Sequence, residues 1–221
     1  MSGVRVFGWL VALLSCAPAA WADPESCTYE TYSWDVKLKK GVGHETVKKQ
    51  RSELTDEEKD PAVPECTVCS EDQVEVKVEG VPTIVVCRPF AEQVKTALEE
   101  AKAAGFELKT LVGYRVGRTR GAIKDGRRTQ FSNHSYGTAI DINAEVNGLY
   151  GDCKLSAVPK NASDLKGCKL RVGGHWDPAK RPKSTVVEGG AAWNAFTRFW
   201  KWGGTRTDAT RDFMHFSPTG E

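Results

Sequence analysis

Two short segments hold the side chains best suited to chemistry. The first runs Ser132-Asn133-His134-Ser135-Tyr136-Gly137-Thr138-Ala139-Ile140-Asp141-Ile142-Asn143, and the second is Asp212-Phe213-Met214-His215-Phe216. Only four histidines exist in the chain, so two of them beside carboxylates narrow the search at once. Gly137 permits a sharp backbone path, and strand alternation puts Ala139, Asp141 and Asn143 on one face, so His134 in the turn can meet Asp141. Bulky apolar neighbours would bury the imidazole of His215, which then needs a partner. Two neutral imidazoles and a carboxylate are ordinary zinc ligands, and three protein ligands leave a fourth position for water, the catalytic pattern. Such a metal lowers the pKa of its water to about 7, and a carboxylate that does not bind the metal takes the proton. Asp212 is the candidate for that base. The same residues also fit a bland alternative, with His134 capping a turn and His215 a satisfied core histidine.

The other histidines carry less. His175, in Gly173-Gly174-His175-Trp176-Asp177-Pro178, reads as a loop histidine, the alternative being an extra ligand or substrate contact. His44 lies in a polar stretch and is assigned no chemistry. Trp200 and Trp202 read as core or cleft wall, with stacking against a glycan or peptide as the alternative.

Elements must position these groups. Val74, Val76 and Val78 alternate with charged residues and, after Gly80 and Pro82, meet the apolar run Ile84-Val85-Val86, which predicts a hairpin. Pro89 stands at a first helical position, and Phe90, Val94, Ala97, Leu98 and Ala101 recur at helical spacing until Gly105. Phe106 to Tyr114 reads as a strand entering an Arg-rich loop, Arg115 to Arg128. A second strand is expected over Thr138 to Asn143, a short helix over Gly190 to Trp200, and a last strand over Met214 to Phe216. No strand-helix-strand rhythm repeats, so the expected class is α+β, a small antiparallel sheet with flanking helices around a zinc site.

At 221 residues the chain suits one main domain plus an appendage. A net charge of +2 gives no bulk electrostatic argument for nucleic acid or an anionic membrane. Residues 1–22 read as an export signal, with Arg5, an apolar stretch from Val6 to Leu14, and Ala20-Trp21-Ala22 as the cleavage site. Leu13-Leu14-Ser15-Cys16 offers an alternative cut that leaves a lipid anchor at Cys16. Either places the mature protein outside the cytoplasm, periplasmic or secreted, or else membrane-anchored as a lipoprotein. No later segment is apolar enough for a transmembrane helix. Six cysteines remain, Cys27, Cys66, Cys69, Cys87, Cys153 and Cys168, and in an oxidising compartment they predict three disulfides. Cys153 with Cys168 is the favoured local pair. Residues 23–72 are polar and cysteine-bearing, an appendage stapled onto a domain spanning 73–221.

Ser-x-His-x-x-Gly-x-Ala-x-Asp at 132 to 141, Trp202-Gly203-Gly204, and Asp212-x-x-His215-Phe216, with Gly113-Tyr114-Arg115 upstream, resemble the D-Ala-D-Ala carboxypeptidase and L-alanyl-D-glutamate endopeptidase family of zinc peptidases. The resemblance covers roughly residues 106 to 217. It implies that His134, Asp141 and His215 bind Zn2+, that Asp212 acts as general base and then acid, and that Arg115 contacts the substrate, either the oxyanion or a carboxylate. It also implies peptidoglycan stem peptides as substrate. The alternative is a non-catalytic zinc-bearing binding module of the same fold. Three departures stand out. Ser217 occupies the place where many members carry an acidic residue, the loop from Arg115 to Gln130 is unusually basic, and a long insert separates Asn147 from Trp193.

Overall fold

The computed structural model describes residues 25–221, so the expected leader and the alternative anchor at Cys16 lie outside the described residues. Cys27, Tyr29 and Thr31 alternate inward, the period-two burial of a strand. They lie on β1 (Ser26–Asp35), which turns back into β2 (Lys40–Gln50) as a long hairpin. β3 (Gln73–Val76) and β4 (Ile84–Cys87) form the hairpin that the valine alternation predicts. Pro89 sits in the 3-10 turn that leads into α1 (Ala91–Ala103). This helix buries Val94, Ala97, Leu98 and Ala101 on one face and is followed by Gly105 at φ +83°.

The strand expected over Phe106 to Tyr114 narrows to β5 (Leu111–Val112). Phe106 and Leu108 are buried as expected, but the nearby backbone bonds elsewhere. Glu107 N–H donates to Lys183 O, and the N–H groups of Lys109 and Thr110 donate to the Asn143 side chain. The Arg-rich loop is instead a hairpin of β6 (Arg118–Lys124) and β7 (Arg127–Phe131). Its two-residue turn is Asp125-Gly126, with φ +50° and +78°, the left-handed pair that matches the twist of hairpin strands.

The chain continues through β8 (Ile140–Ile142), β9 (Leu149–Gly151) and β10 (Lys169–Val172) to α2 (Ala191–Phe196). It closes with β11 (Lys201–Trp202), β12 (Arg211–Asp212) and β13 (His215–Ser217). The order β11-β13-β8-β5 makes a central sheet, β10-β9-β12 a second, and β2-β1-β6-β7 a third, with the β3-β4 pair beside them. The fold is therefore mixed but rich in small sheets. The expectation of flanking helices is corrected: among the described residues the α-helices are α1 and the six-residue α2, which contact each other.

One apolar cluster joins α1, Ile140 and Ile142 of β8, Phe196, Trp202, Phe213 and Phe216. A second gathers Cys27, Tyr29, Cys66, Val68, Cys69 and Cys87 with Val116, Phe131 and Tyr136. The N-terminal segment thus packs against the hairpin and turn that flank His134. Three disulfides join Cys27 to Cys69, Cys66 to Cys87, and Cys153 to Cys168, the last being the pair favoured from sequence. No helix among the described residues is long and apolar enough to cross a membrane.

Candidate metal centre

His134 lies in the 3-10 turn Asn133–Tyr136, which Gly137 closes at φ +68°. A Cβ on Gly137 would sit 2.0 Å from Gln73 Oε1 and 2.5 Å from Cys87 N, so the turn requires glycine for space as well as for dihedral angle. β8 then carries Asp141 opposite His215 of β13 in antiparallel register. Adjacent strands place directly opposed side chains within reach of each other. Two buried asparagines hold β8 in place. Asn143 donates to Glu107 O and Ser184 O, and Asn147 donates to Ile142 O and Ser184 O.

The three candidate ligands, His134, Asp141 and His215, are buried, and their donor atoms lie within 4.8 Å of one another. His134 Nε2 stands 3.1 Å from Asp141 Oδ2, and His215 Nδ1 stands 3.0 Å from Asp141 Oδ1. On the outer side, His134 Nδ1 is 2.8 Å from Gly113 O and His215 Nε2 is 2.8 Å from the main-chain O of Glu221. Whether carbonyl or carboxylate, such a main-chain oxygen only accepts, so both outer nitrogens carry the proton. In a neutral ring the inner nitrogen is then a lone pair aimed at carboxylate oxygens. Such a cluster of acceptors calls for protons on the inner nitrogens or for a cation between them. Two imidazoles and a carboxylate match the zinc donor set, so the residues fit the metal.

Charge follows the same logic. Burial pushes the Asp141 carboxyl up, but the charges and hydrogen bonds of His134 and His215 outweigh it and hold that carboxyl well below the usual range. Asp212 behaves oppositely. Burial and the charge of Asp141 push it well above the usual carboxylate range, against the opposing pull of His215 and Arg206. Its Oδ1 is buried with no hydrogen-bond partner. An unpartnered carboxylate oxygen of raised proton affinity is what general-base chemistry needs. β12 places it: Asp212 pairs with Leu149 and Arg211 with Tyr150 of β9, so the insert after Asn147 supplies the strand that holds the candidate base.

Arg115 reaches the same place, its Nη2 3.7 Å from Asp141 Oδ2. The backbone brings it there through Gly113, where a Cβ would lie 2.1 Å from Val85 O, and through Arg115 N–H donating to His134 O at 3.0 Å. Its Nη1 donates to Tyr32 Oη at 3.3 Å. Tyr32 of β1 is a neighbour that sequence reasoning missed. Its ring lies where side chains on Gly41 and Gly117 would otherwise stand, and those glycines were its only signal. Asp60, also from the N-terminal segment, accepts from Thr138 Oγ1.

The remaining sequence candidates separate from this cluster. His175 is exposed and His44 stacks on Tyr32 at 5.3 Å. Trp200 and Trp202 are buried, and Trp202 Nε1 donates to Phe213 O at 2.9 Å. Cys27, Cys69 and Glu71 form a second group of donor atoms, but the Cys27–Cys69 disulfide removes both thiolates.

Residues 125–218 match the family model of D-alanyl-D-alanine carboxypeptidase. The segment matched to the carboxypeptidase family contains His134, Asp141, Asp212 and His215, the residues that carry the resemblance read from the sequence, and it supports that resemblance. Arg115, the β1–β2 hairpin and Glu221 lie outside it. Comparison with curated proteins and with solved structures finds no match.

Proposed function

We propose that the protein is an exported zinc peptidase that hydrolyses peptide bonds in peptidoglycan stem peptides, as a D-Ala-D-Ala carboxypeptidase or a related endopeptidase. The observation that carries this reading is the convergence of His134, Asp141 and His215 beside Asp212, whose buried carboxylate oxygen has no partner. The carboxypeptidase family match supports the reaction class and the substrate class. Three disulfides fit an oxidising compartment, which agrees with export of a chain whose residues 1–22 are a leader. In this reading residues 73–221 form the peptidase unit and residues 23–72 an accessory segment against it.

His134 Nε2, an Asp141 oxygen and His215 Nδ1 would hold the zinc. Bound there, zinc supplies a Lewis acid and water activated near neutral pH. Asp212 accepts the proton of the attacking water and returns it to the leaving amine, a shuttle suited to its raised proton affinity. Arg115 pairs with the substrate carboxylate or the developing oxyanion. Its hydrogen bond to Tyr32 and its approach to Asp141 fix the guanidinium near the reacting bond.

Mass spectrometry of defined stem peptides, with and without terminal D-Ala-D-Ala, tests this reading on zinc-loaded mature protein. Loss of one D-alanine identifies a carboxypeptidase and an internal cut an endopeptidase. Stoichiometric zinc with every peptide intact would sink the peptidase reading in favour of a binding module.

A further inference from the structure

His215 is held from the side opposite Asp141 by something the ligand motif does not contain. Its Nε2 lies 2.8 Å from the main-chain oxygen of Glu221. Ser217 Oγ donates to the same oxygen at 3.3 Å. The turn between them is tight: Gly220 N–H donates to Ser217 O and to Ser217 Oγ, with Gly220 at φ +76°. Thr219 Oγ1 accepts from Asn133 Nδ2 at 3.0 Å and from Glu221 N at 3.2 Å. The turn therefore bonds to the neighbour of one candidate ligand and directly to the other.

The Glu221 side chain anchors the arrangement. Its carboxylate pairs with Arg120 of β6 at 2.7 Å and with Arg206 at 3.6 Å. Arg206 is itself paired with Asp208. A backbone acceptor works as an orienting group only if it is held still, and two guanidiniums from separate parts of the fold hold it.

We infer that the turn from Ser217 to Glu221 is a positioning element for the metal site: the Glu221 main-chain oxygen fixes the Nε2–H tautomer of His215 and aims Nδ1 at the metal, while the Arg120–Glu221–Arg206 bridge locks that oxygen in place. The inference rests on the zinc reading above. Partners of this kind fix ring orientation and raise ligand basicity, and losing one weakens metal binding by roughly tenfold to a hundredfold.

Zinc affinity by chelator competition and the ring-nitrogen spectrum of His215 by long-range proton–nitrogen NMR test it, on the parent, on a chain ending at Pro218, and on Glu221→Ala. In the zinc-loaded parent, His215 should carry a slowly exchanging proton on Nε2 and the metal on Nδ1. The shortened chain should bind zinc roughly tenfold to a hundredfold more weakly and lose the slow exchange of that proton. Glu221→Ala keeps the oxygen but not the bridge, and should fall between the two. Recording the cobalt-substituted visible spectrum separates a change at the ligands from a loss of fold, since a merely destabilised protein keeps the parent spectrum when loaded. Equal affinity and equal proton exchange in all three chains would overturn the inference and leave the zinc reading intact. A parent that binds no zinc would overturn the reading on which it rests.

Discussion

Asp141 and Asp212 are carboxylates of one neighbourhood with opposite fates. Asp141 faces two imidazoles and is held ionised, whereas Asp212 faces burial and the charge of Asp141 and is driven toward its protonated form. In the proposed reading, environment alone thereby divides a metal ligand from a base. Asp212→Asn should keep the parent's zinc content while turnover falls by about 10²- to 10⁴-fold; metal analysis beside a peptide assay checks this, and surviving turnover would require another base. His134→Ala and His215→Ala should each lower bound zinc sharply, and metal content equal to the parent's would refute their assignment as ligands.

At the scale of elements, glycines decide whether strands can bring these groups together. Gly113→Ala would drive a Cβ to 2.1 Å from Val85 O and displace the carbonyl that His134 bonds. About 2 kcal/mol of stability should be lost through overpacking, with weaker zinc binding besides. Gly126→Ala meets nothing within 4 Å, so only its left-handed conformation is strained, for about 1 kcal/mol. Urea titrations of the two variants would separate the causes, and equal losses would refute the packing argument. The helix α1 and the β3–β4 hairpin were legible because their apolar residues keep strict spacing. The β6–β7 hairpin was not, since its strand residues are mostly charged, polar or glycine and read as loop; Asp125-Gly126 was the available signal. Asn143 was visible as a residue but not as a replacement for a strand's hydrogen bonds. His134, Asp141, Asp212 and His215 could be read from two short segments. Tyr32 and Glu221 could not, because the first reaches Arg115 from 83 residues away and the second acts through its main chain.

For the molecule as a whole, the N-terminal segment is braced internally by charge as well as by the Cys27–Cys69 disulfide. Burial pushes the Glu58 carboxyl up, but hydrogen bonds from Lys49, Tyr29 and Thr55 outweigh it and bring it down to about 2. A depressed carboxylate pKa adds stability above its unfolded value, and that stability is lost as pH falls toward the folded value. Urea midpoints should therefore drop between about pH 4.5 and pH 2, and Glu58→Gln should remove much of that step while costing about 2 kcal/mol at neutral pH. A pH profile unchanged by the substitution would dismiss Glu58 as its source. Removing the Cys153–Cys168 link by paired serines should cost about 3 kcal/mol, read as a shift in the same titration; an unmoved midpoint would show that this link contributes little.

The long hairpin ends in an open border. Among the described residues, β2 pairs with β1 and with nothing on its other side, so about ten residues of backbone face outward as a template for any extended chain. Lys40, His44, Glu45 and Lys48 stand exposed along that border. Charged side chains on a sheet's rim deter a second strand from docking. The polar character that made this segment read as an appendage thus also protects the protein from self-association, and replacing those lysines with valine would invite fibrous aggregates in an otherwise intact fold.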